Sequence, residues 1–276
     1  MKPRNQREWV YRPVIRVVLA LFRLLGFRLT ILGAENIPAT GGAVIASNHV
    51  SYFDFMFVGL PAHHRGRRLV RFMAKQAVFD NPVSGPLMRG MHHIPVDRAA
   101  GAAAYRSAVA ALQAGELVGV FPESTISRAF VPRDFKSGAA RMAIEAGVPL
   151  IPVAVWGGHR VWTTGRKPRL RRGVPITIEV AEPMQLPAGA SPDQVTAQLR
   201  EVLTSLVEKV QRSYPGPATA AESWWQPAYL GGSAPTLEEA VPIEAAAMQA
   251  RLERKQQKAA KRSRRSVTPE QPEQEQ

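Results

Sequence analysis

The chain has 276 residues, 45% of them hydrophobic, enough for one sizeable core; length allows one or two domains and one is expected. The absence of cysteine excludes a cysteine acyl-enzyme and weakens the case for a metal site. A formal charge of +14, with 36 Lys and Arg against 22 Asp and Glu, calls for an anionic partner: nucleic acid, an acidic membrane surface or a phosphate-bearing substrate.

Trp9 to Phe27 reads WVYRPVIRVVLALFRLLGF, in which Arg12, Arg16 and Arg23 fall within about 40° of one another on a helical wheel. Its apolar runs are far shorter than the roughly 20 residues that span a bilayer, so the expectation is an amphipathic helix lying in a membrane surface. A helix covering the core with a solvated arginine stripe is the competing reading. Arginines interrupt the apolar stretch and no clear cleavage site follows it, so a secretory signal is disfavoured and the cytoplasmic side is expected. Strands are predicted at Leu29–Leu32, Ala43–Ala46, Leu69–Met73, His92–Val96, Leu117–Phe121, Ile151–Val155 and Ile176–Val180. Between them, Ala102–Ala114 and Ser137–Ala146 read as helices ending at Gly115 and Gly147, and Ser191–Ser213 as a closing helix with Val195, Leu199, Leu203 and Val207 on one face. The pattern implies an α/β fold, with a sheet covered by helices. Domain limits are expected at 1–28 (interfacial segment), 29–213 (folded domain) and 214–276. In that last segment Trp224, Trp225 and Tyr229 can pack on the domain or touch lipid. A helix is possible from Glu238 to Lys261, the run from Arg251 to Arg265 is strongly basic, and the last residues, at the acidic, Gln-rich end, are expected to be disordered.

The chemistry centres on NHVSYFD, Asn48 to Asp54, directly after the apolar run AVIAS. An imidazole can take a proton from a hydroxyl, and a carboxylate on its other ring nitrogen fixes the tautomer and stabilises the imidazolium. His49 and Asp54 are five positions apart, about 140° around a helix, so the pair needs His49 in a strand-to-helix turn and Asp54 in the first helical turn. A second reading stays open on the residues alone: Ser51 and Asp54 form a capping box and His49 is a loop histidine. Further polar clusters end other strands: GMHHIPVDR with Asp97 and Arg98, and FPES with Glu123, followed by Thr125 and Ser127. Arg98 has the fork geometry that suits a phosphate. Lys75 is a weaker phosphate candidate. His63-His64 and His92-His93 are adjacent pairs whose side chains diverge, so no metal site is expected. Neither a Walker A lysine nor a GxGxxG pattern is present, and no nucleotide cofactor is implied.

Together these segments, from about Leu29 to Gln211, resemble the glycerolipid acyltransferase family. Asn48, His49 and Asp54 match its Asn-His-x4-Asp motif. Gly90, Ile94, Val96, Asp97 and Arg98 match its second block, and Val148 to Pro152 its fourth, pocket-lining block. Its third block, Phe-Pro-Glu-Gly-Thr-Arg-Ser, is met by Phe121, Pro122, Glu123, Thr125 and Ser127. Ser124 stands for its Gly and Ile126 for its Arg, with Arg128 the nearest substitute cation. The resemblance implies the family's mixed, mostly parallel sheet and transfer of a fatty acyl group to the free hydroxyl of a lysophospholipid, first of all lysophosphatidic acid. It implies His49 as base with Asp54 orienting it, Arg98 on acceptor phosphate, and Glu123 with Thr125 shaping the acceptor site. Acyl-CoA or acyl-carrier protein is then the donor, with no cofactor, and the enzyme works on the cytoplasmic face of an anionic membrane. With no cysteine and no GxSxG elbow, direct transfer is simpler than an acyl-enzyme. Two alternatives are a different lysolipid or polar acceptor, motivated by Ser124 and Ile126, and a non-catalytic basic protein binding membrane or RNA. No aromatic-and-basic RNA-binding block supports nucleic acid.

Overall fold

The computed structural model describes residues 8–97, 101–186, 189–216, 219 and 222–265. Seven strands, β1 (Arg28–Leu32), β2 (Ala43–Ser47), β3 (Val70–Lys75), β4 (Ile94–Val96), β5 (Leu117–Val120), β6 (Leu150–Trp156) and β7 (Pro175–Val180), form one sheet. The order is β1-β7-β6-β2-β5-β3-β4. All neighbours are parallel except β6 and β7, so β1 and β7 run against the other five. The expected mixed, mostly parallel α/β sheet is therefore found.

Every residue of β2, β5, β6 and β7 is buried, because helices cover both faces and an apolar side chain is accepted on either. On one face Ile45, Phe72, Val153 and Ile176 pack against α1 (Tyr11–Leu24) and α2 (Asp54–His64) through Phe22 and Phe57, whose rings stack with centroids 5.0 Å apart. On the other face Val44, Ala46 and Val118 meet Ala108 and Leu112 of α5 (Gly101–Gln113) and Ala140 of α6 (Gly138–Ala146). There α7 (Pro192–Arg212) lies along β6, with Leu203 and Val207 beside Trp156.

Two short helices between β3 and β4, α3 (Gln76–Phe79) and α4 (Ser84–Gly90), were not expected; four to seven residues carry too little periodicity to read. The strand expected from His92 begins at Ile94, because His92 sits in a turn with φ of 57°. Its neighbour His93 is packed, its Nδ1 accepting the Phe72 N–H at 3.1 Å, and burial and then the Arg71 charge hold it down to about 3. The first compact unit runs past Ser213 to Ala234. Trp225 is buried with Tyr214 and Trp156 in the core under α7, its carbonyl bonded to His159, so this stretch packs on the domain. The second unit, from Pro235, contains α8 (Leu237–Arg265), which covers the helix expected at Glu238–Lys261. The end expected to be disordered, 266–276, lies outside the described residues.

Replacing Trp225 by Ala should remove about 3–5 kcal/mol of stability, the range for emptying a buried aromatic site, measured by urea denaturation.

Candidate active site

In open α/β sheets the carboxyl ends of parallel strands are where loops converge on a ligand. Here the loops after β2, β5 and β6 converge there. Asn48 anchors the first: its Nδ2 donates to Val155 O at 3.0 Å and its Oδ1 accepts from Val155 N–H at 2.8 Å. The buried amide continues the ladder to β6 in place of a backbone unit, which fixes where the chain leaves the sheet.

Asp54 opens α2 and is wholly buried. Its Oδ2 accepts three hydrogen bonds, from His49 Nδ1 at 3.0 Å and from the backbone N–H groups of Val50 and Ser51 at 2.7 Å each. Half of the capping-box pattern is present, since Asp54 accepts the Ser51 N–H, but the reciprocal bond is missing because the Ser51 hydroxyl is engaged with Trp162 O and the Phe53 N–H; the same carboxylate also holds the imidazole. Burial raises the Asp54 carboxyl above its ordinary range, while the His49 hydrogen bond and charge and the two N–H donors pull it back. An oxygen that receives three donors favours the ionised form. One face of the His49 ring stacks on Phe121, centroids 4.2 Å apart, and its side chain keeps 21% exposure. With Nδ1 taken by Asp54, Nε2 is the nitrogen left to accept a proton.

Glu123 sits behind this pair. Its Oε1 accepts the His49 N–H at 2.8 Å and its Oε2 the Arg133 N–H at 3.3 Å, so it ties two loops together by their backbones. Ser127 N–H closes the same junction on His49 O at 2.8 Å. Burial, reinforced by the Asp54 charge and opposed by those N–H donors, pushes the Glu123 carboxyl up to about 8. From the other side Trp162 O accepts the Ser51 hydroxyl at 2.8 Å, and the Thr163 hydroxyl donates to Val50 O at 2.7 Å. Nothing in the sequence announces these props, since Trp162 and Thr163 lie more than a hundred residues from their partners.

The other expected site residues stand as follows. Thr125 is half-buried in the loop after β5, and Lys75 is exposed at the end of β3, opposite Val96. Arg98 lies outside the described residues. The two departures in the third block have structural correlates. Ser124 adopts a φ of 59°, the left-handed region that a glycine enters freely, with its N–H bonded to Phe121 O at 2.9 Å. Ile126 is buried, and the Arg128 head lies over Gly165, where a Cβ would come within 2.3 Å of its Nη1. Among the described residues no group of three or more His, Cys, Asp or Glu is placed to hold a metal.

Ser124→Gly should stabilise the fold by about 1 kcal/mol by relieving left-handed strain, read from chemical denaturation. A carboxyl protonated in the fold up to about 8, but ionised above about 4.5 in the unfolded chain, lends stability that is full at low pH and falls as pH rises through about 8. Glu123→Gln should flatten that decline, measured as urea midpoints between pH 5 and 8.

A family model described as Acyltransferase matches residues 28–156. A 1-acyl-sn-glycerol-3-phosphate acyltransferase of Bacillus subtilis (strain 168) is 29% identical over 182 residues, 64% of this chain and 87% of that protein. A 1-acyl-sn-glycerol-3-phosphate acyltransferase of Limnanthes douglasii is 33% identical over 168 residues, 58% of this chain and 56% of the relative, so the chain spans only about half the length of some relatives. The crystal structure of the 1-acyl-sn-glycerophosphate (LPA) acyltransferase PlsC from Thermotoga maritima superposes with a TM-score of 0.61 at 24% identity, covering 77% of this chain and 86% of that one. With the sheet order, the Asn48-His49 turn and the buried Asp54 already in place, the Acyltransferase match over residues 28–156 and these similarities support a PlsC-like glycerolipid acyltransferase.

Proposed function

We propose that the protein transfers a fatty acyl group from a thioester donor, acyl-CoA or acyl-carrier protein, to the free hydroxyl of lysophosphatidic acid, giving phosphatidic acid. The observation that carries this reading is the 3.0 Å contact between His49 Nδ1 and the buried Asp54 carboxylate, with the opposite ring edge left for the acceptor. His49 Nε2 takes the hydroxyl proton as the oxygen attacks the thioester carbonyl; the new ester C–O bond forms, the C–S bond breaks, and the departing thiolate takes up a proton. Asp54 holds the tautomer and stabilises the imidazolium. Glu123, bonded to backbone N–H groups on both oxygens, acts as a positioning residue for His49, while Thr125, Lys75 and Arg98 are proposed for the acceptor side. The activities named for the Bacillus and Limnanthes relatives support the choice of acceptor. The buried Ile126, where the family has an arginine, favours a second reading in which the acceptor is another lysolipid.

The same reading sets the enzyme on the cytoplasmic surface of an anionic membrane. Among the described residues no helix is long and apolar enough to cross one. The helix α1 instead has three sectors. Tyr11 and Phe22 face the core, the arginines form a stripe, and Val17, Leu21 and Leu24 are exposed. A solvated helix has no reason to expose that third sector, whereas an interfacial one does.

Purified protein should acylate lysophosphatidic acid in mixed micelles from a labelled long-chain acyl-CoA or acyl-carrier protein. His49→Ala and Asp54→Asn should each lose about 10³-fold in turnover while keeping native circular dichroism, the scale of a lost general base or its partner. Full activity in His49→Ala would defeat the mechanism, and turnover of another lysolipid alone would favour the second reading.

A further inference from the structure

A cavity of about 230 Å³ lies where α1 meets the last turn of α2, lined by Arg12, Ile15, Arg16, His63, Arg67 and Leu69. Asp54 begins α2 and His63 is nine residues on, which puts the cavity about 14 Å along the helix from the acid that holds His49. Its composition is unbalanced: three guanidinium groups and an imidazole above an apolar floor of Ile15 and Leu69. Among the described residues no carboxylate pairs with Arg12, Arg16 or Arg67, and the nearby Glu8 is committed to Arg71.

Cations near the end of α2 complement its C-terminal carbonyls, which accounts for His63 and Arg67. It does not account for Arg12 and Arg16, which come from a different helix. His63 lines the cavity with the rest of its ring, since its Nδ1 is buried away from solvent with no hydrogen-bond partner. Burial and the charges of His64, Arg67 and Arg12 hold His63 below its ordinary value, as expected where positive groups gather without an anion. The volume is several times the roughly 30 Å³ share of a water molecule, room for a tetrahedral oxyanion with carbon attached.

We propose that this cavity is a phosphate-binding site separate from the acyl-transfer site, in which Arg12, Arg16 and Arg67 hold the phosphate oxygens and His63 hydrogen-bonds to the same group. Guanidinium forks bind phosphate oxygens with paired hydrogen bonds, and a phosphate offers three oxygens to arginines that converge from two elements, where a carboxylate offers two. Phosphate can arrive on a lipid headgroup or as a free solute. The exposed Val17, Leu21 and Leu24 on the same helix favour the lipid, because acyl chains would lie along them while the headgroup reaches the pocket. The inference does not rest on the acyl-transfer reading, and its test reads binding alone.

The experiment compares full-length protein on phosphatidylcholine vesicles doped with phosphatidic acid against vesicles brought to the same surface charge with a fatty acid. A parallel calorimetric titration uses inorganic phosphate. Wild type should prefer the phosphatidic acid vesicles by about tenfold. Arg12→Gln and Arg67→Gln should each erase that preference, whereas Arg23→Gln, on the same stripe but outside the cavity, should weaken both vesicle types alike and keep it. Inorganic phosphate binding that is lost in Arg67→Gln, with no preference between vesicles, would support the site and assign it to a soluble phosphate. Wild type showing neither the preference nor phosphate binding would overturn the proposal, as would Arg23→Gln erasing the preference as completely as Arg67→Gln.

Discussion

A single buried oxygen, Asp54 Oδ2, organises the candidate site. It accepts the His49 ring and two backbone N–H groups at once, so the carboxylate that orients the imidazole also terminates the turn that carries it. Burying a charge is expensive unless its hydrogen bonds are made, and here three are made on Oδ2 while Oδ1, also buried, has none. Loss of the charge would therefore release both the tautomer of His49 and the path of the chain from β2 into α2. Local fold and proposed chemistry are set by the same contact.

Around that oxygen the structure spends its other buried polar groups on placement. Asn48 fastens the turn to β6 by mimicking a backbone unit, and Glu123 fastens it to the loop after β5. Two carboxyls thus sit close together, both raised by burial; the His49 bond and two N–H donors oppose this at Asp54, and the Asp54 charge adds to it at Glu123. The third block of the family keeps this fastening function through Glu123 despite its two substitutions. Ser124 retains the left-handed turn at a cost in strain, and Ile126 is buried.

The N-terminal helix realises the core-covering reading and leaves surface for the membrane contact proposed above. It covers the core through Phe22 and Tyr11, whose hydroxyl donates to Val70 O at 2.7 Å, and still leaves an apolar sector and an arginine stripe exposed. A helix with three faces has room for both tasks because its core-facing strip takes only part of the circumference. Placing α1 against α2 also creates the cationic cavity, which neither helix possesses alone.

Much of this was legible in the chain. Apolar runs of four to seven residues fixed the seven strands to within a few residues, because a sheet covered on both faces demands continuous apolar segments. The offset of five between His49 and Asp54 required a turn followed by a helix start, since no regular helix brings those positions together. The sequence also carried the family resemblance and the charge. What it did not contain was any relation between residues distant in the chain and unmarked by a motif. The Asn48 bond to Val155, the stacking of His49 on Phe121, the props from Trp162 and Thr163, the packing of Trp225 and the meeting of Arg12 with His63 and Arg67 all depend on which elements become neighbours. Periodicity and spacing encode local conformation, whereas these contacts follow from strand order and helix docking, which only the packed core decides.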